Sequence, residues 1–277
     1  MEKKKGWLFL SITVAVLGLV PLAVVSRLTK EMANDILAES LKFAARAVAG
    51  ILLILYVKKV YKVRVGLSRK RLFKGIFWHG LVIVLFSAGM LVLNYFNDAR
   101  FERSLIEVLP LLLFYMVMNL GIGLLEESVC RCVLFNSFKE FFGDNKKGVY
   151  LATFLSAFLF GVIHLGNLNG SNTISTITQV IYATFFGMLF AVIYYRSGNL
   201  LSCIILHGMV DYVDCFWRLF LNDRVGQQIV DEHTDSSIGD AVVTLAITSV
   251  FLIAALVQLR MEFKKTKSNR RVSLQQA

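Results

Sequence analysis

The stretch LLEESVCRCVLF, residues 124–135, places two adjacent glutamates and an arginine in one of the most apolar parts of the chain. A charged side chain at the centre of a membrane helix costs about 3 kcal/mol on insertion scales, so such residues persist there only when they are paired or functional. Glu126, Glu127 and Arg131 therefore need either partners or a chemical role.

The composition around this stretch is that of a membrane protein. Of the 277 residues, 56% are hydrophobic and 18% are charged, whereas soluble domains average about 45–50% apolar and about 25% charged residues. The net charge of +11 comes largely from basic segments that flank apolar runs. This placement is typical of membrane orientation and argues against nucleic-acid binding.

Apolar stretches long enough for a helix to cross hydrocarbon recur about eight times. The sequence predicts an all-α fold, a polytopic membrane helix bundle that forms a single domain over residues 1–277. The expected spans are 7–25, 41–57, 75–96, 109–135, 150–166, 178–195, 199–220 and 241–259. With eight spans the Lys- and Arg-rich segments share one side, so we expect both termini to be cytoplasmic, with residues 260–277 as a basic cytoplasmic tail.

Helix geometry separates the two glutamates. Glu127 and Arg131 are four residues apart, about 40° around an α-helix, which suits an intrahelical salt bridge. Glu126 lies about 140° from Arg131 and has no counter-ion on its own helix. We interpret Glu127 and Arg131 as a structural ion pair and Glu126 as an unpaired carboxylate that is available for acid–base chemistry.

Two further polar positions interrupt apolar spans. Phe160 and His164 share one helix face, and His207 and Asp211 share another, each pair four residues apart. The His207–Asp211 pair can bind a metal, orient a water molecule or donate to an oxyanion. Its alternative role is a hydrogen bond that holds helices together.

In chain order, the patterns E-E-x-x-x-R, F-x-x-x-H and H-x-x-x-D within residues 116–215 resemble the CPBP family of intramembrane proteases. That family includes type II CAAX prenyl endopeptidases and the bacterial Abi or bacteriocin-immunity proteins. The resemblance implies a catalytic core at 116–215 and a multi-pass protein of a bacterial cell membrane. It also implies an endopeptidase acting on a membrane-associated, prenylated or hydrophobic peptide or protein.

The resemblance also assigns roles to residues. It implies that Glu126 activates the attacking water with help from His164, while His207 and Asp211 hold the water or stabilise the oxyanion. Glu126, His164, His207 and Asp211 also form an expected Zn²⁺ ligand set, although the family's chemistry is compatible with a metal-free mechanism. Asp211 stands where prenyl-protein proteases often have Asn, which favours metal binding over hydrogen-bond donation.

Two functions of other classes stay open at this point. One is a non-catalytic immunity or scaffold protein, and the other is a proton-coupled transporter, for which buried ionisable residues are also expected. The sequence lacks the inverted repeats and proline-broken helices that favour a transporter. The expected partners are the lipid bilayer and a peptide or protein substrate, without nucleic acid, and the oligomeric state is left open.

Overall fold

The computed structural model describes residues 2–61, 65–66, 69–98, 102–168, 173–220 and 237–275. These residues form α-helices joined by short 3₁₀ and π-helical segments, and they contain no β-strand. The α-helices in chain order are α1 (Glu2–Thr29), α2 (Asp35–Val60), α3 (Leu81–Asp98), α4 (Leu105–Glu127), α5 (Asn136–Phe142), α6 (Lys146–Ile163), α7 (Thr173–Ser197), α8 (Leu200–Phe216) and α9 (Ile238–Gln275).

The predicted all-α membrane bundle is confirmed, and the chain is an integral multi-pass membrane protein. Seven helical stretches in the described part of the chain are long and apolar enough to cross a bilayer: Lys4–Thr29, Asp35–Val60, Leu105–Phe142, Lys146–Leu168, Thr173–Ser197, Leu200–Phe220 and Ile238–Lys265. They coincide with seven of the eight expected spans. The cytoplasmic placement of the termini stays a prediction, and residues 276–277 of the expected tail lie outside the described residues.

The third expected span, 75–96, is divided in the structure. A π-helical turn, Lys74–His79, is followed by Gly80, and α3 begins directly after that glycine. The apolar part of α3, Leu81–Phe96, is shorter than the other candidate spans. The count of eight spans therefore stays a prediction.

The helix that carries the opening stretch is the longest apolar one and passes through the core. Its N-terminus is fixed by a capping box, in which Ser104 accepts from the Glu107 N–H and Glu107 accepts from the Ser104 N–H. Beyond Glu127 the helix continues as a π-helical segment, Ser128–Phe135, and then as α5. Every residue of the π-helical segment is buried, which fits a helix surrounded by other helices.

Glycines bring α4 and α8 into close contact. A Cβ added at Gly123 would lie 2.6 Å from the carbonyl oxygen of Ile204, and one added at Gly208 would lie 3.0 Å from the Asn119 carbonyl oxygen. Small residues allow helix backbones to approach closely in membranes. This crossing sets the end of α4, with its two glutamates, beside His207.

A tight turn between α7 and α8 fixes the direction of α8. Gly198 adopts the left-handed region with φ = 59°, and its N–H donates to the Tyr194 carbonyl, as at a helix C-terminus that ends in glycine. Asn199 then caps α8 by accepting from the Ser202 N–H at 3.1 Å. The turn places the inner face of α7 against the first half of α8.

Candidate active site

The helix changes from α to π geometry directly after the two glutamates. α4 ends at Glu127, and the next eight residues are π-helical. Asn136 supports this segment, since its side-chain amide donates to the carbonyls of Arg131 (3.3 Å) and Cys132 (2.8 Å) and contacts the Tyr194 hydroxyl (3.1 Å). π-helical turns are frequent at functional sites, and this one decides where Arg131 points.

Glu127 and Arg131 form a fully buried ion pair. Both side chains have no exposed surface, and Nε of Arg131 lies 2.9 Å from Oε2 of Glu127. Nη2 of Arg131 also donates to Oε1 of Glu127 at 3.1 Å. Two close contacts between the guanidinium and the carboxylate compensate each charge for its loss of solvent.

Two phenylalanines enclose the guanidinium of Arg131. Its central carbon lies 5.2 Å from the ring centre of Phe160 on α6 and 5.5 Å from that of Phe190 on α7. Cation–π attraction contributes about 0.5–2 kcal/mol at such distances, more when the cation is desolvated. The ion pair is therefore held in a pocket built from three helices.

His207 is the third member of this buried group. Its Nδ1 lies 2.8 Å from Oε1 of Glu127, the same oxygen that accepts from Arg131. The Phe190 ring stacks on the imidazole at 5.2 Å with an interplanar angle of 11°, and the Phe160 ring meets it edge-on at 5.7 Å. One carboxylate and two aromatic rings thus fix the plane of the imidazole.

The opposite nitrogen of His207 faces the two remaining carboxylates. Nε2 lies 3.4 Å from Oε2 of Glu126 and 3.7 Å from Oδ2 of Asp211. The side chains of Glu126 and Asp211 are 30% and 29% exposed, whereas that of Glu127 is 0% exposed. The two glutamates are therefore unequal, because Glu127 is enclosed and Glu126 borders accessible space.

His164 lies beside this cluster without direct contact to it. Its Nδ1 is 3.0 Å from the Phe160 carbonyl oxygen, at the start of a 3₁₀ turn, His164–Leu168. The Phe160 ring contacts both imidazoles, at 5.1 Å from the His164 ring and 5.7 Å from the His207 ring. Within the described residues, His164 makes no hydrogen bond or ion pair with Glu126, His207 or Asp211.

The expected zinc ligands are not arranged as a metal site. The described part of the chain contains no group of three or more His, Cys, Asp or Glu side chains placed to hold a metal ion. The Phe160 ring contacts the rings of both His164 and His207, and His164 makes no hydrogen bond or ion pair with the other three expected ligands among the described residues. Zinc binding stays a prediction.

Three features of the site lie beyond the sequence prediction. Glu127 binds His207 as well as Arg131, so its role extends beyond the structural ion pair. Phe190 stacks on His207, and no spacing in the sequence distinguishes it from the other phenylalanines. Arg46, inside the apolar helix α2, is close enough to Asp211 for electrostatic interaction.

One known family is similar to the part of the chain that carries this site. The family model described as Type II CAAX prenyl endopeptidase Rce1-like matches residues 108–213. This segment is similar to the Rce1-like family. The matched range contains all the predicted site residues and confirms the resemblance to CAAX-type membrane proteases. No curated protein and no solved structure matches the chain.

The buried ion pair of the Rce1-like segment can be tested by a double-mutant cycle. Arg131→Met leaves Glu127 charged and buried, and removal of one partner from a buried pair costs about 3–5 kcal/mol. We expect a large fall in melting temperature in detergent, with part of the loss recovered in the double variant Glu127→Gln, Arg131→Met.

The matched control is the pair Lys139–Asp144, with a 3.6 Å separation and side chains that are 27% and 60% exposed. Lys139→Met should cost less than about 1 kcal/mol, because exposed pairs contribute little. An Arg131→Met protein that melts like wild type would contradict the structural role of the pair.

Proposed function

We propose that the protein is an intramembrane endopeptidase that hydrolyses a peptide bond in a membrane-associated peptide or protein. One observation carries the proposal: Nδ1 of His207 is anchored to Glu127 while Nε2 faces Glu126 and Asp211 at a partly exposed position. An oriented imidazole beside two carboxylates can support both water activation and oxyanion stabilisation. The family match supports a CAAX-type substrate, a prenylated polypeptide.

Glu126 acts as the general base in the proposed mechanism. Its carboxylate takes a proton from a water molecule as the water oxygen bonds to the carbonyl carbon of the substrate. Asp211 accepts a hydrogen bond from the same water and orients it. When the tetrahedral intermediate collapses, the C–N bond breaks, and the proton held by Glu126 passes to the leaving nitrogen.

His207 stabilises the oxyanion of the tetrahedral intermediate. When both ring nitrogens carry protons, Nδ1–H donates to Glu127 and Nε2–H is available for the developing negative charge. Removal of one oxyanion donor costs about 10²–10³ in rate in other hydrolases. The stacking of Phe190 on the imidazole keeps this donor in place before substrate binds.

His164 has a supporting role in this proposal. It lies across the Phe160 ring from His207 and is partly exposed. From there it assists Glu126 through a bridging water rather than by direct contact. The catalytic set is thus Glu126, His207 and Asp211, with His164 at its edge and Glu127 with Arg131 as positioning residues.

Substitution of Glu126 tests the mechanism. Glu126→Gln should lower the rate of cleavage of a farnesylated reporter peptide by at least about 10²-fold, the usual contribution of a general base. The melting temperature should change little, because the Glu127–Arg131 pair is untouched. Cleavage is measured by mass spectrometry of the released fragment.

Glu140→Gln is the matched control for this experiment. Glu140 is an exposed carboxylate on α5, further along the same continuous helix. It should retain the wild-type rate. A Glu126→Gln protein that is folded and as active as wild type would end the proposed mechanism.

Chelation tests whether this chemistry needs a metal. Since the described side chains are not grouped as a metal site, we expect purified protein to contain zinc well below one equivalent and to keep its cleavage rate after dialysis against EDTA. Metal content is measured by mass spectrometry of wild type and His207→Ala. One equivalent of zinc that is lost in His207→Ala, with activity lost on chelation, would contradict the metal-free mechanism.

A further inference from the structure

A cavity of about 230 Å³ lies where three of the apolar spans end. Its walls come from the first residues of the span Lys4–Thr29 and from the last residues of the spans Asp35–Val60 and Leu105–Phe142. The ends of membrane spans lie at the level of the lipid headgroups. Sites for drug-sized ligands usually have volumes of about 300–1,000 Å³, so this cavity suits a smaller group.

The floor of the cavity is a chain of buried hydroxyl groups. Ser137 is 2% exposed, and its Oγ lies 3.0 Å from the Tyr61 hydroxyl oxygen and 2.6 Å from the Val133 carbonyl oxygen. The Tyr61 hydroxyl also contacts Oγ of Ser11, which donates to the Trp7 carbonyl at 3.0 Å. Three hydroxyl groups therefore make four contacts, and two of these groups, on Tyr61 and Ser137, belong to residues that line the cavity.

The hydroxyl groups of the floor use all their protons among themselves. Each hydroxyl has one proton to donate and two lone pairs to accept with. Three protons cannot serve four contacts, so the arrangement with the fewest unserved contacts leaves no proton of these groups for the cavity. Tyr56 adds one more proton and one more contact, at 3.4 Å from Ser11 Oγ, so the balance is unchanged. The floor thus offers lone pairs, and a ligand that brings N–H donors would satisfy them.

The walls and the rim of the cavity differ in the charge that they favour. Trp7 and Phe141 line the cavity, and aromatic rings attract cations. Lys4 lies at the rim, where its Nζ donates to the Glu140 carbonyl at 3.3 Å. Because an ammonium group has three N–H donors, Lys4 has donors left for an anionic group. A ligand with a cation at one end and an anion at the other would match this arrangement.

We propose that the cavity binds the phosphoethanolamine headgroup of a membrane phospholipid. The primary ammonium of the headgroup donates to the hydroxyl oxygens of Tyr61 and Ser137, and its phosphate lies beside Lys4. Leu10 and Leu17, which are 43% and 60% exposed, continue the surface of α1 beyond Trp7 and give the acyl chains an apolar path. The inference concerns lipid binding and is independent of the proposed endopeptidase function.

The hydroxyl floor distinguishes between common headgroups. A phosphocholine headgroup has a trimethylammonium group without any N–H, so it reaches the aromatic walls but leaves the floor without donors. A phosphoglycerol headgroup has hydroxyl donors but no positive charge, so its attraction to the aromatic walls is weaker. Ethanolamine supplies both the N–H donors and the positive charge.

Native mass spectrometry of delipidated protein in detergent tests this selectivity with lipids of identical acyl chains. We expect wild type to bind phosphatidylethanolamine about tenfold more tightly than phosphatidylcholine, as hydrogen bonds from a charged donor provide. Free phosphoethanolamine at the same concentration should not displace the lipid. Equal or tighter binding of phosphatidylcholine overturns the proposal, and displacement by the free headgroup at equal concentration overturns the assignment to a membrane lipid.

Variants of the floor then locate the selectivity. In Tyr61→Phe, and independently in Ser137→Ala, the ratio of the two affinities should fall to about one. Tyr56→Phe is the matched control, because its hydroxyl contacts Ser11 rather than a residue that lines the cavity, and it should keep the wild-type ratio. Since each ratio is measured within one protein, differences in folded yield cancel. Floor variants that both keep the wild-type ratio overturn the proposal.

Phosphatidylglycerol separates recognition of the amine from recognition of the phosphate. It should bind wild type and Tyr61→Phe alike, because the floor is not its partner. Lys4→Gln should weaken binding of phosphatidylethanolamine and phosphatidylcholine by the same factor and leave their ratio unchanged. If Tyr61→Phe weakens phosphatidylglycerol as much as phosphatidylethanolamine, the site binds any phospholipid, and the proposed amine selectivity is wrong.

Discussion

Arg131 is a full charge with no exposed surface in the centre of a membrane bundle, and Glu127 is the only carboxylate that contacts it among the described residues. Glu127 in turn holds Nδ1 of His207 with the same oxygen that accepts from Arg131. The rest of the site depends on these successive contacts of Arg131, Glu127 and His207. Because an unpaired charge here is costly, Glu127 and Arg131 stay paired, and the fixed Glu127 carboxylate holds the imidazole of α8.

The chain of buried contacts explains why two adjacent glutamates can have different functions. Glu127 is neutralised on one side by Arg131 and used on the other side to orient His207, so it is not free to exchange protons with substrate. Glu126 lies on the accessible side of the same imidazole. A general base needs contact with water, whereas a positioning residue needs rigid surroundings. Adjacent positions on one helix point in different directions, so Glu126 can meet the first requirement and Glu127 the second.

Local geometry was predictable from the sequence, and contacts between distant helices were not. The Glu127–Arg131 spacing belongs to a single helix, so residue separation alone indicates it. The Glu127–His207 contact joins residues 80 positions apart and depends on the close α4–α8 crossing at Gly123 and Gly208. The π-helical turn also departs from the assumed rotation of 100° per residue. Arg46 lies near the start of the expected span, which begins at 41, whereas α2 begins at Asp35 and carries Arg46 about three turns inside the helix.

Whether Glu127 orients His207 can be measured by ¹⁵N NMR of histidine-labelled protein in lipid nanodiscs. The chain has only four histidines, so the His207 signals are assigned by their loss in His207→Gln. We expect a protonated, hydrogen-bonded Nδ1 in wild type, with a signal that is lost or shifted in Glu127→Gln and kept in Glu126→Gln. An unprotonated Nδ1 in wild type, or a signal that does not change in Glu127→Gln, would contradict the orientation of His207 by Glu127.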